Sequence, residues 1–216
     1  MVHVLHASAC RWITVIAVVL CSLSCRERAT GARDTASSYA DSIGSGAEGV
    51  RTRSRGRIPY GFNGVPWLGQ WTAPWGQLRY GDDPNCSTYK EGGCGPTAFA
   101  MVLRYHGRTA TPDDVGEIAV ASGARRCSGG TDGFQPHFLE SLTGSYEVDA
   151  TLILRDHQRV LNLLRARQPV IAVGHCRGYT ARHRYRSYGA HFLVLTGVDV
   201  IRHRGKRWTV VRVNDP

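Results

Sequence analysis

The sequence predicts an α+β domain, with helices first and an antiparallel sheet after them. Three observations carry this. Residues 96–167 contain several stretches with apolar residues at helical spacing. Beyond Pro169 the pattern changes to aliphatic and β-branched runs, PVIAV, HFLVLTGVDVI and RWTVVRV, separated by glycine and charge. A chain of 216 residues with 42% hydrophobic content can bury one ordinary core and still carry extra segments. Helices and strands segregated along the chain argue for segregated layers.

The first segment reads as a targeting signal. Arg11 precedes WITVIAVVLCSL, an apolar run too short to span a bilayer. Small residues at Ser22 and Ser24 then precede Cys25 as a signal peptidase site requires. A cysteine there also resembles a bacterial lipoprotein box, in which Cys25 would be acylated and tether the protein to a membrane. Residues 1–24 are therefore expected to be a signal peptide outside the fold, and the protein to be periplasmic or at the cell surface. Residues 25–57 are rich in Ser, Gly, Ala, Thr and charge and read as a flexible tether, because they cannot bury enough apolar surface to offset their ordering entropy. The domain proper is expected over 58–216.

The domain opens on VPWLGQWTAPWGQLRYG, loop-like, with Trp67, Trp71 and Trp75 among prolines and glycines. Such aromatics either cover a core or line a groove. Pro96 to His106 reads as a helix closed by Gly107, apolar around most of its circumference and so expected to be buried on nearly all sides. Thr111-Pro112-Asp113-Asp114 has a capping threonine, a first-turn proline and two acids at the positive dipole end, so a helix should run from there to about Ser122. A shorter helix is expected over Phe134 to Leu142. Asp156 to Arg167 is amphipathic, with Val160, Leu161 and Leu164 on one face. No internal repeat is visible.

The formal charge of +10 is carried almost wholly by arginine, since Lys90 and Lys206 are the only lysines. This balance, and the basic, aromatic Arg182–Gly189 stretch, would suit acidic partners. The arginines are scattered, however, and form no nucleic-acid motif, so nucleic acid is not expected as a partner. The oligomeric state is not legible.

Of seven cysteines, Cys10 and Cys21 lie in the signal segment and Cys25 at its end, leaving Cys86, Cys94, Cys127 and Cys176 in the domain. In an oxidising exported setting two of these could pair, and spacing does not choose which. A zinc site from Cys86, Cys127, Cys176 and His175 lacks the paired-cysteine spacing such sites use.

Cys94 has a distinctive setting in EGGCGPTAFAMVLRYHG. It sits where a helix begins, and there unsatisfied N–H groups and the positive dipole end favour a thiolate. Glycines on either side let a substrate backbone approach. The Cys94 amide could face a developing oxyanion. A nucleophilic cysteine also needs a base, and the base an orienting partner. His191 opens the strand GAHFLVLTG and Asp215 closes the strand ending VNDP. A hairpin reversing at His203 sets these two directly opposite, on one face of the sheet. A register slip of one residue would turn them to opposite faces, and a bulge could turn them back. The alternative makes His191 a strand-end histidine and Asp215 a turn residue.

GGCGPTAFAMVLRYHG, TPDDVGEIA, GAHFLVLTGVD and the closing VNDP together resemble the papain-like cysteine peptidases. They are most similar to stand-alone bacterial relatives of the bacteriocin-processing, double-glycine leader peptidases. The resemblance spans about Val65 to Pro216 in the family order cysteine, histidine, aspartate. It implies a papain-like fold with the nucleophile helix of an N-terminal helical part packed on a C-terminal antiparallel sheet. It also implies Cys94 as nucleophile, His191 as general base and Asp215 as orienting acid. The family's oxyanion glutamine is not found just before the cysteine, where CSTYKEGG contains none. Gln70, in GQWTAPWG, matches the glutamine-tryptophan opening of the stand-alone relatives, with Gln77 in reserve. The expected activity is hydrolysis of a peptide-like amide in a peptide or peptide-like substrate; the basic Arg182–Gly189 stretch reads either as a contact for acidic substrates or as a solvated hairpin tip. The activity needs no metal or organic cofactor. Acyl transfer by the same residues, or a catalytically silent module that binds peptide or wall polymer, are the alternatives.

Overall fold

The computed structural model describes residues 2–6, 16–22, 62–125, 127, 139–175, 190–203 and 205–216. The tether, the Arg182–Gly189 stretch, Cys25, Cys176 and the expected helical start at Phe134 lie outside these residues.

Helix α1 (Tyr89–Gly92) is one turn, and the Thr88 N–H before it donates to the Glu91 carboxylate at 3.0 Å. Helix α2 (Cys94–Tyr105) follows after a single residue, Gly93. Only glycine fits that junction, because a Cβ at Gly93 would lie 2.5 Å from the Tyr89 carbonyl oxygen. The buried part of α2 runs unbroken from Gly95 to Leu103, as its all-round apolar pattern predicts. Each large side chain enclosed there contributes about 1.5–3 kcal/mol. Phe99→Ala should therefore cost about 3–5 kcal/mol.

Helix α3 (Pro112–Ala121) starts as its sequence dictates. The Thr111 N–H donates to Asp114 at 2.8 Å, and the Asp114 N–H returns a bond to the Thr111 hydroxyl at 3.3 Å. Helix α4 (Leu139–Tyr146) overlaps the expected helix and continues past its expected end at Leu142. Helix α5 (His157–Arg165) is capped by Asp156, whose carboxylate accepts from the Arg159 N–H at 2.9 Å, and it turns Val160 and Leu164 inward.

The six strands are β1 (Val2–His6), β2 (Ile16–Ser22), β3 (Val148–Leu154), β4 (Val170–His175), β5 (Ala190–His203) and β6 (Lys206–Asn214). They form one sheet in the order β1-β6-β5-β4-β2-β3, antiparallel at every junction. Ile171, Phe192 and Val194 face a core shared with α2, α3 and α4. Val170, Ala172, Leu195 and Val213 face the other side, where α5 supplies Val160 and Leu164. The protein is thus α+β, but its sheet is covered on both faces rather than one.

One strand of the domain differs from expectation. Strand β3 went unrecognised because VDATLIL does not alternate cleanly: only Val148 and Ile153 are buried. In the full chain Ile16–Ser22 pairs between β4 and β3, and Val2–His6 pairs along β6. A continuous β-branched run suits a signal core and a strand equally.

The β5–β6 hairpin pairs His203 with Lys206, so it reverses beyond His203, the expected point. A regular ladder from that turn would set Asp215 across from Val194, on the face opposite His191. Instead the register shifts between Leu195 and Gly197, leaving Thr196 as an extra residue. Below the bulge Val194 pairs with Asn214. One step further sets Asp215 across from Leu193, diagonal to His191 and on its face.

The bulge is held from outside the sheet. Asn63, in the left-handed region at φ 61°, donates through Nδ2 to the Thr196 carbonyl at 2.6 Å. Gly197 makes room for it, since a Cβ there would lie 2.7 Å from that Nδ2.

Candidate active site

Cys94 is the first residue of α2, so its amide is among the N–H groups that lack an acceptor within the helix. It is a free thiol. Cys86 and Cys127 are the pair that forms a disulfide, with Cα atoms 4.9 Å apart. That pairing removes two members of the zinc set weighed above. Among the described residues no cluster of His, Cys, Asp and Glu could hold a metal ion, and no helix is long and apolar enough to cross a membrane.

His191 Nε2 lies 2.8 Å from Asp215 Oδ1, both side chains being mostly buried. Nε2 therefore carries the proton toward the carboxylate and Nδ1 is left for the sulfur. The Cys94 thiol hydrogen-bonds the His191 ring and also accepts from the backbone N–H groups of Phe192 and Gly95. Three residues distant in sequence thus meet in one hydrogen-bonded chain.

The electrostatics follow from these contacts. Burial acts to raise the Cys94 pKa, but the bond and charge of His191, with the two backbone donors, outweigh it and lower the pKa below its ordinary 9.0. Burial likewise acts to deprotonate His191. The bonds to Asp215 and Cys94, and the charges on both, prevail and push its pKa up to about 10. Both shifts favour a thiolate–imidazolium pair at neutral pH.

Gln70 lies close to α1 rather than free in solvent. Its Nε2 donates to the Lys90 carbonyl at 2.7 Å, and its Oε1 is buried without a partner. The amide nitrogen keeps a second N–H. Gln77 is exposed at the end of the short turn Trp75–Gln77.

The three tryptophans divide. Trp75 covers the core, 8% exposed, with its Nε1 donating to Gly69 at 2.9 Å. Trp67 and Trp71 are exposed and tilt against each other with ring centroids 5.8 Å apart. Trp67 Nε1 donates to the Asp215 carbonyl at 2.7 Å. Sequence reasoning missed the parts played by Trp67 and Asn63. The one signal was that the loop carrying both is dense in groups able to hydrogen-bond backbone.

An α+β domain with a free helix-start cysteine beside an imidazole and a carboxylate has the architecture of a papain-like cysteine peptidase. Residues 62–216 match the model of the Peptidase_C39 like family, which covers well over half of the chain, and the chain belongs to that family. No curated protein and no solved structure matches it.

Proposed function

We propose that the protein is an exported cysteine peptidase or amidase that cleaves a peptide-like amide through Cys94, His191 and Asp215. The observation that carries this is the hydrogen-bonded sequence Cys94–His191–Asp215, in which His191 lies 2.8 Å from Asp215. Family membership supports the same reaction class.

In this mechanism the Cys94 thiolate adds to the substrate carbonyl carbon. The Cys94 N–H and the second Gln70 N–H stabilise the developing oxyanion. The His191 imidazolium gives its proton to the leaving amine, and the tetrahedral adduct collapses to a thioester. His191, now neutral, takes a proton from water, which attacks the thioester and releases the acid. Asp215 holds the ring so that Nδ1 faces the sulfur and stabilises the imidazolium. The reaction requires no metal or organic cofactor.

The hydrolytic test is turnover of a peptide library by the full chain, with Cys94→Ala and Gln70→Ala alongside. Cys94→Ala should abolish cleavage, and Gln70→Ala should lower kcat by about 10²-fold. Cleavage unaffected by Cys94→Ala would refute the mechanism. Export is tested separately by fractionating cells and sequencing the mature N-terminus, expected at Cys25, a cut that would remove the β1 and β2 of the full chain. A cytoplasmic protein retaining residues 1–24 would remove that part of the proposal.

A further inference from the structure

We propose that Trp67 is a positioning residue of the active site, acting through Asp215. The proposal rests on the triad reading above and adds a fourth residue to it.

Asp215 follows the last residue of β6, so its backbone lies where regular pairing with β5 has run out. Proline at 216 restricts it to extended conformations but does not choose among them. The carboxylate must nevertheless stay within 2.8 Å of His191 Nε2. The opening loop adds a constraint on its backbone. Trp67 Nε1 donates to the Asp215 carbonyl at 2.7 Å, across 148 residues of chain. Two residues before Trp67, the Val65 carbonyl accepts from Asn214 Nδ2 at 3.3 Å. Residues 65–67 therefore lie along 214–215 and grip that segment at two successive residues.

The indole is also flanked within its own loop. Trp71 lies against it on one side, and a Cβ at Gly69 would come within 3.0 Å of its Cη2. Trp75 already does the work of covering the core, so core coverage does not account for Trp67, which is 36% exposed. Its N–H bond has a different consequence: it sets the peptide plane from which the Asp215 side chain projects. A misplacement of about 1 Å at a catalytic group costs as much as 10²-fold in rate. Loss of this one donor should thus be felt at the sulfur, through Asp215 and His191.

The test reads the thiol directly, because no substrate is needed. Alkylation of Cys94 in the full chain by iodoacetamide is followed by mass mapping of the Cys94 peptide from pH 4 to 10. The chains compared are wild type, Trp67→Phe, Asp215→Ala and the double variant. Trp67→Phe is expected to slow alkylation at pH 6 by roughly tenfold and to move the profile toward higher pH. In the Asp215→Ala background the same change should have no further effect, since the backbone carbonyl then positions no carboxylate. If Trp67→Phe unfolds the chain, replacing the indole by benzothiophene keeps its shape and removes only the N–H, with the same result expected.

A wild-type profile in the N–H-deleted chain, or a full additive loss on top of Asp215→Ala, would overturn the proposal. An ordinary thiol profile in the wild type would instead overturn the triad, and this proposal with it.

Discussion

His191 and Asp215 share one side of the β5–β6 hairpin because a single extra residue, Thr196, interrupts the ladder between them. Continued without a break from the His203–Lys206 pair, a regular ladder would direct the two side chains to opposite faces. The bulge is therefore the feature that makes an imidazole–carboxylate pair from two strand ends, and Asn63 is the side chain that caps its carbonyl.

Deleting Thr196 should leave a regular hairpin that keeps Leu195 across from Val213 and Asp215 across from Leu193, with the acid still on the His191 face. Circular dichroism should show the sheet retained, and Cys94 alkylation at pH 6 should stay close to the wild-type rate. Asn63→Ala should cost about 1 kcal/mol of stability by leaving the Thr196 carbonyl without this donor. Loss of thiol reactivity after the deletion, in a chain that stays folded, would show that the register does not set the face of the acid.

The pH dependence follows from the two shifted groups. Cys94 ionises below its ordinary 9.0 and His191 holds its proton to about 10. The reactive ion pair therefore exists between the Cys94 ionisation and about pH 10, and kcat/KM should be bell-shaped with its alkaline limb there. Stability is linked with the same signs. The His191 contribution is complete below its unfolded value of about 6.5 and disappears as pH rises through about 10. The Cys94 contribution is present above its unfolded value and disappears as pH falls through its lowered one. An activity profile with its acid limb at an ordinary thiol pKa would contradict the proposed ion pair.

The disulfide joins residues 41 apart, Cys86 just before α1 and Cys127 beyond α3. By loop entropy it should stabilise the fold by roughly 4 kcal/mol. Under mild reductant the melting temperature should drop, while Cys94, which is not part of the bond, stays alkylatable before and after. A disulfide involving Cys94 in the purified protein would contradict this and would silence the nucleophile.

What the sequence discloses is mostly what is decided within a few residues. The Thr111–Asp114 cap, the Asp156 cap and the all-round apolar α2 are local, and each could be read directly. Cys94 was legible for the same reason, since helix start and glycines sit beside it. The register of β5 against β6 was not, because it depends on Asn63, more than a hundred residues away, reaching Thr196. Trp67 was visible as an aromatic in a loop, but its acceptor is a backbone carbonyl, which any residue would offer. The disulfide partner of Cys86 likewise depends on how α3 returns the chain. The run Ile16–Ser22 satisfies the pattern of a signal core and of a buried strand at once, so no local rule separates the two.

The most direct test of the account is the rate of Cys94 alkylation by iodoacetamide at pH 6 in the wild type and in His191→Ala. Ionised beside an imidazolium, Cys94 should react about two orders of magnitude faster than the same cysteine in the variant, where only a small fraction is thiolate. Equal rates in the two proteins would mean that His191 does not ionise the thiol, and the cysteine peptidase proposed here would lose its nucleophile.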